Sequence, residues 1–489
     1  MKPLLYLYYH GEVGIAYWEW MAALLYFLAI FFIFIRRRNR KMHEAPEYRY
    51  FIGGIYAKLF GATFFSLIYF YYYHGGDTTA YFYSALAMRN MFFVDPIEYF
   101  RQLFGDNSMR AWLSYSEATA HPYQYVFFDR RTFAVLQVTS VLAIFTNKSF
   151  LLTTLVTATI SFFGAWKCFR TFVTYFPEIK GKLAIGFLFM PSAIFWGSGV
   201  MKDTWCFTAL CLWVHAVDEI FFKKRNIVAM SFWLVVSAFL MLWFKPYVFT
   251  VVLPCSLLWV SYFRVVAIRS FIVRFVFLPL AIGAMVVLSL VILRNLAGSM
   301  DKFAVDGALE TIRLTQNDLS NERAYGKHRF ELGEFDGTWL GLLKQFPVAT
   351  NAALFRPYLW EAHTPVMVLS GLENLWVLVL AFTALLRAGP LFTLRSITGV
   401  PILLMAVMFA VLFAFTVGVT TPNFGALVRF KIPMVPFFIS SLYIIVHLAR
   451  VRRQEHEAGI EFDLRRYRMG TSRRPVLAQR PARAHRRAR

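Results

Sequence analysis

The sequence predicts an all-α integral membrane protein of about 11 transmembrane helices, with two outer-face segments containing short amphipathic helices. Three observations carry that expectation. The 489 residues are 58% hydrophobic and only 16% charged, with a mean hydropathy of +0.52, too apolar for a water-soluble globule. Apolar runs approaching the roughly 20 residues needed to cross a bilayer recur along the chain. Lysine and arginine fall in short clusters between those runs, as they do beside membrane spans. The formal net charge of +23 therefore reads as membrane flanking, and nucleic acid is not an expected partner. Cys168, Cys206, Cys211 and Cys255 lie in or beside apolar runs without zinc or disulfide spacing. No cleavable signal peptide is expected, so the first run stays as a span.

The runs cover residues 15–35, 51–73, 150–166, 183–197, 204–222, 227–244, 247–263, 275–293, 366–386, 397–416 and 432–448. Basic clusters at 36–41, 167–170, 223–225, 264–274, 387–395 and from Arg450 onward all fall on one side when the N-terminus is outside. The positive-inside rule makes that side, and the C-terminus, cytoplasmic. Residues 133–145 are too short to span and are expected to form an interfacial or re-entrant helix. Residues 74–148 and 294–365 then lie outside. The first holds amphipathic stretches such as 97–104, and the second alternates acids and bases between Asp301 and Asp336. The expected organisation is an N-terminal span and basic loop over 1–50, a transmembrane core over 51–448, and a disordered basic tail over 449–489. From Arg450 that tail holds 13 Arg against four acidic residues, which suits adhesion to anionic lipid or a partner protein.

Four stretches hold residues able to do chemistry. In His74-Gly75-Gly76-Asp77 a carboxylate appears where a span ends, among tyrosines that include Tyr81, and an ionisable group there is a candidate general base. The plainer reading is that Asp77, Thr78 or Thr79 caps the next helix. Residues 190–204 read as a turn between two short spans, with Gly197 and Gly199 in the turn and Lys202 and Asp203 exposed at its tip. Lys202 could hold a phosphate as a point charge, or Asp203 could simply neutralise it. In residues 355–363, Arg356, Tyr358, Trp360, Glu361 and His363 put a guanidinium, a carboxylate, an imidazole and two rings together. Such a set can recognise a sugar, and the rings also suit an ordinary aromatic belt. Glu373 and Asn374 lie inside the next span and are expected to face protein. Arg429 and Lys431 in residues 423–433, and Lys245 in another outer turn, place basic groups where the positive-inside rule disfavours them, which points to anion binding.

The His74-Gly-Gly-Asp77 stretch, the surface helices after it and the paired short spans resemble the GT-C membrane glycosyltransferases. Residues 191–203, 356–361 and 423–429 are similar to motifs of bacterial surface-polysaccharide membrane proteins of the cell envelope. The resemblance covers roughly residues 51–448. It implies a bacterial inner-membrane enzyme that takes a sugar from a polyprenyl-phosphate donor and passes it, with inversion, to a glycan or lipid acceptor at the extracytoplasmic face. Asp77 would be the base. Lys202, Arg356, Arg429, Lys431 and Lys245 would bind the donor phosphate, with His74, Tyr81, Asp203, Tyr358, Trp360, Glu361 and His363 lining the substrate. No metal-ligand spacing is visible; many relatives use a divalent cation, magnesium or manganese, and the resemblance carries that cofactor with it. An extra span before the one leading to Asp77, and the absence of a large soluble domain after the last span, depart from the family's pattern.

Two other readings remain open. A polysaccharide polymerase or ligase acting on polyprenyl-diphosphate-linked glycans would depend mainly on Arg356, Arg429 and Lys431. A transporter or flippase would place charged groups deep in several spans, yet the spans hold few beyond Lys58, Asp218, Glu219 and Glu373.

Overall fold

The computed structural model describes residues 14–105, 107–266, 283 and 338–468. Among the described residues the regular structure is all helical, with no β-strand. The helices are α1 (Tyr17–Met42), α2 (Phe51–Leu67), α3 (Asp77–Val94), α4 (Pro96–Phe104), α5 (Met109–Leu113), α6 (Gln124–Phe128), α7 (Arg130–Phe145), α8 (Phe150–Tyr175), α9 (Lys180–Leu188) and α10 (Pro191–Phe195). They continue as α11 (Lys202–Val217), α12 (Ile227–Phe244), α13 (Pro246–Val266), α14 (Trp339–Lys344), α15 (Phe346–Phe355), α16 (Pro365–Ala388), α17 (Pro390–Gly399), α18 (Pro401–Thr420), α19 (Phe424–Phe430) and α20 (Val435–Glu457).

Nine helical segments among the described residues are long and apolar enough to cross a membrane: Tyr17–Met42, Pro46–Tyr72, Phe150–Tyr175, Lys202–Phe222, Ile227–Phe244, Pro246–Val265, Pro365–Ala388, Pro401–Thr420 and Val435–Glu457. The chain is a multi-pass membrane protein. A helix satisfies its own backbone, which is why it can cross a medium that offers no hydrogen bonds. Of the two remaining expected spans, 275–293 lies outside the described residues apart from Gly283, as does residues 301–336 of the second outer segment. Residues 183–197 do not form one helix. Pro191 has no N–H to continue the ladder and disfavours helical geometry before it, so Met190 is extended at φ −70° and ψ 123°, and the short α10 follows.

The chain divides into two compact units, the first comprising Met1–Lys167, Leu188–Trp213 and Phe232–Phe249, the second Cys168–Phe187, Val214–Ser231 and Thr250–Arg489. In the first unit Phe51 anchors an aromatic cluster, with its ring centroid 4.9 Å from Trp166, 5.3 Å from Phe162 and 5.6 Å from Tyr48. Without a hydrophobic force between helices in lipid, close approach through small residues supplies the packing. At Gly61 a Cβ would lie 2.4 Å from the Ile194 carbonyl oxygen, so only glycine lets α2 meet α10. After α2, residues 74–148 fold into α3 to α7, with α3 packed along α7. Buried Gln102 ties this region: its amide donates to Ser114 at 2.8 Å, its side-chain oxygen accepts from Tyr115 at 2.6 Å, and its backbone carbonyl accepts from Gln137 at 3.0 Å. Residues 133–145, expected as a 13-residue interfacial helix, belong to the 16-residue α7.

In the second unit α18 packs on α15, α17 and α20. A Cβ on Gly418 would fall 2.0 Å from the Ala349 carbonyl oxygen, which marks where α18 and α15 touch. The tail expected to be disordered from residue 449 is ordered through Arg468. Helix α20 runs on to Glu457, buried Glu455 pairs with Arg466 at 2.5 Å, and Tyr467 stacks on Phe176 at 5.4 Å. These buried partners hold residues whose polar composition alone reads as unstructured. Residues 469–489 lie outside the described residues.

Candidate functional site

The first unit gathers its ionisable groups where α2, α7 and α11 deliver their ends. Helix α2 widens into a π-turn at Ile68–Tyr72, and His74, Gly75 and Gly76 follow with φ of 51°, 131° and 135°. Three successive positive-φ residues reverse the chain, and glycine is the residue that adopts such geometry without strain. The Gly75 N–H donates to the Tyr69 carbonyl at 2.9 Å. Gly76 is the N-cap of α3, so half-buried Asp77 occupies the first helical position and is not the cap. The neighbouring threonines fix the helix start: Thr79 Oγ1 donates to the Gly76 carbonyl at 2.8 Å, and Thr78 Oγ1 donates to the Val200 carbonyl at 3.0 Å.

That last bond brings Asp77 to the segment carrying Lys202. A Cβ on Gly199 would fall 2.2 Å from the Phe65 ring, and Thr204 donates back to the Gly199 carbonyl at 2.7 Å, so this segment lies tight against α2. Lys202 and Asp203 are consequently not exposed at a tip, as expected from sequence. The Lys202 side chain is 20% exposed, and Asp203 is buried. Nor do they neutralise each other. Asp203 pairs with buried Lys245 at 2.5 Å, while Lys202 Nζ donates to Thr132 Oγ1 at 2.6 Å and lies 3.9 Å from Asp129. Neighbours one position apart on a helix point about 100° apart, so each finds its own partner. Lys202 also sits over the Tyr81 ring at 5.8 Å, a cation–π distance. Asp77, Asp129, Asp203 and Lys245 all lie within charge–charge reach of Lys202.

Asp129 caps α7, accepting from the N–H groups of Arg131 at 2.9 Å and Thr132 at 2.8 Å. Partial burial pushes its carboxyl upward, but Lys202 and those N–H groups outweigh this and hold it below the usual carboxylate range. The Asp77 carboxylate also lies within charge reach of the Tyr125 phenol. Sequence reasoning missed Asp129, Thr132 and Tyr125. An Asp just before the apolar run 133–145 is the one signal that marks a helix start there.

Of the expected site residues, the first unit therefore brings together Asp77, Tyr81, Lys202, Asp203 and Lys245. His74 is exposed in the turn. The second unit groups others. Arg356 makes a bidentate ion pair with Glu361, its Nε lying 2.9 and 3.1 Å from the two carboxylate oxygens. Lys431 is buried, and its Nζ donates to Asn374 Oδ1 at 2.7 Å and to the Arg356 carbonyl at 3.2 Å. Burial pulls its ammonium down to about 8, against the opposing Glu373 charge. Arg429 lies over the Phe430 ring at 4.8 Å. Tyr358 and Trp360 stack at 4.8 Å, and His363 is exposed. Among the described residues no group of three or more His, Cys, Asp and Glu side chains is placed to hold a metal. Comparison of the chain with protein-family models, curated proteins and solved structures found no match.

Proposed function

We propose that this protein is a membrane glycosyltransferase that moves a sugar from a polyprenyl-phosphate donor to a glycan or lipid acceptor at the outer face of the membrane. The observation that carries the reading is Asp77, a carboxylate at the first position of α3, within charge–charge reach of Lys202 in one cluster at the end of a span. A carboxylate that can accept a proton, within charge reach of a cation that can hold a phosphate, is the minimal equipment for this transfer. In the reaction the acceptor oxygen attacks the anomeric carbon and its proton passes to Asp77. The bond from that carbon to the phosphate oxygen breaks, the electron pair leaves with the phosphate, and Lys202 stabilises the departing charge. Asp203 and Lys245 neutralise one another and serve to fix the first turn of α11. The resemblance to the GT-C glycosyltransferases draws on residues 74–77, and that to surface-polysaccharide membrane proteins draws in part on residues 191–203; the two stretches meet in this cluster.

A consistent membrane path supports the reading. Helix α8 starts beside α3, where Phe150 meets Phe82 at 5.2 Å, and its 26 residues carry the chain about 39 Å away. Lys202 is back beside Asp129, so the interrupted segment α9–α10 makes the return crossing. The basic clusters at 36–41 and 223–225 then fall on the side opposite Asp77, from which we infer an outer N-terminus.

The test is transfer of radiolabelled sugar in membranes expressing the chain. Asp77→Asn keeps size and shape, and a loss of about 10²- to 10⁴-fold is expected, with donor retention unchanged. Full activity in Asp77→Asn refutes the assignment. Loss on Arg429→Ala with none on Asp77→Asn favours a polymerase or ligase working from the second unit.

A further inference from the structure

The loop between α15 and α16 was singled out by its sequence and takes no part in the cluster around Asp77. It is built as a platform. Arg356, Pro357 and Tyr358 each have a backbone group caught by a side chain: Lys431 donates to the Arg356 carbonyl at 3.2 Å, buried Asn374 donates to the Pro357 carbonyl at 3.0 Å, and the Glu361 carboxylate accepts from the Tyr358 N–H at 2.8 Å. Gly371 completes the seat, since a Cβ there would press on the Leu359 backbone at 3.3 Å. The Arg356 guanidinium is held by Glu361 and faces the Phe424 ring at 5.3 Å.

Upon this seat Tyr358 and Trp360 stack nearly parallel, with centroids 4.8 Å apart and planes 19° apart. The Tyr358 hydroxyl accepts from Asn351 at 2.9 Å, which fixes the lower ring. One face of Trp360 is covered by Tyr358, and the residue is still 75% exposed, so its second face is presented outward. A ring of the aromatic belt needs only an interface to sit in. Here a buried lysine, a buried asparagine and an ion pair are committed to fixing the backbone that carries the stacked rings, and such pre-organisation lowers the entropic cost of binding.

We propose that this loop is a carbohydrate-binding platform, with the open face of Trp360 stacking on the C–H face of a pyranose ring. Exposed His363, three positions after the indole in sequence, is the group able to bond the pyranose hydroxyls. Within the proposed transfer reaction it would hold the acceptor glycan, and to that extent it rests on that reading.

The test is saturation-transfer NMR on the full-length protein in phosphatidylcholine nanodiscs, with maltohexaose, cellohexaose and chitohexaose as probes. Saturation of the C–H protons of at least one probe is expected. It should fall about tenfold in Trp360→Ala, as for loss of an aromatic anchor, and persist in Trp360→Phe and Asp77→Asn. No saturation with any probe, or undiminished saturation in Trp360→Ala, overturns the proposal. In nanodiscs with brominated acyl chains, the emission that disappears in Trp360→Phe should be unquenched in the wild type. Full quenching places the indole in lipid and also overturns it. Because binding is read without turnover, its failure leaves transfer at Asp77 standing, and binding without transfer leaves the platform standing.

Discussion

Lys58 lies in the middle of an apolar helix, fully within the first unit, and its replacement by Met gives the sharpest test of how that unit is held. Its Nζ donates to the Ala193 carbonyl at 2.8 Å and the Gly197 carbonyl at 2.7 Å, with Ser161 Oγ at 3.4 Å. These carbonyls belong to the end of α10 and the turn after it, where the helical ladder has stopped. In a bilayer no water can take over, so the amino group of Lys58 satisfies what the chain break exposes. Lys58→Met fills similar space but donates nothing. Ser161 still donates to the Gly197 carbonyl at 2.8 Å, so the net result is one orphaned carbonyl, at Ala193. An unsatisfied buried acceptor costs about 1–3 kcal/mol, or about five- to 150-fold in the folding equilibrium. The assay is reversible unfolding in mixed micelles titrated with dodecyl sulfate. Ser161→Ala alone should cost little, because Lys58 remains, while the double variant should cost more than the two single changes added. An unchanged midpoint for Lys58→Met, or strict additivity in the double variant, refutes the reasoning.

Other outcomes follow from the same structure. Lys245→Met leaves Asp203 buried without the ammonium 2.5 Å away and should destabilise by about 3–5 kcal/mol, read by the same titration, with partial recovery when Asp203→Asn is added. Gly76→Ala places a side chain at φ 135° with its Cβ 3.0 Å from the Tyr69 ring; a cost of about 1–3 kcal/mol is expected, together with slower sugar transfer as Asp77 shifts. Lys431 is held near 8, below its ordinary 10.5. Between those values the unfolded chain binds the extra proton and the folded one does not, so stability should rise with pH across that window. In Lys431→Met the rise should flatten, and a variant that keeps the wild-type pH profile would assign the rise to another group.

The apolar runs made most of the helices legible, because run length and freedom from charge are properties of a single stretch. The break at Met190 was not read, although Pro191 announces it, because hydropathy averaged over residues 183–197 conceals a single missing N–H. Around Asp77 the sequence named Lys202, Lys245 and Tyr81, yet the one partner it offered Asp203 was Lys202. Adjacency along the chain suggested Lys202, and the helical turn instead sends Asp203 to Lys245, which is 42 positions away. Asp129 went unnoticed because its importance depends on α7 starting there and pointing at Lys202, a fact of packing. In residues 356–361 the sequence marked the polar cluster but gave Arg356 to a phosphate and Glu361 to a substrate, whereas the two residues, five positions apart, pair with each other within one loop.

The divergence of Lys202 and Asp203 limits how α11 can respond to anything held beside Asp77. Two consecutive side chains are tethered in different directions, one to the start of α7 and the other to the corner between α12 and α13. Spinning the helix about its own axis would rupture at least one tether. Whatever adjustment accompanies occupancy has therefore to slide α11 lengthwise or tilt it with both anchors in tow, so a probe placed at Lys245 would register an event at Lys202.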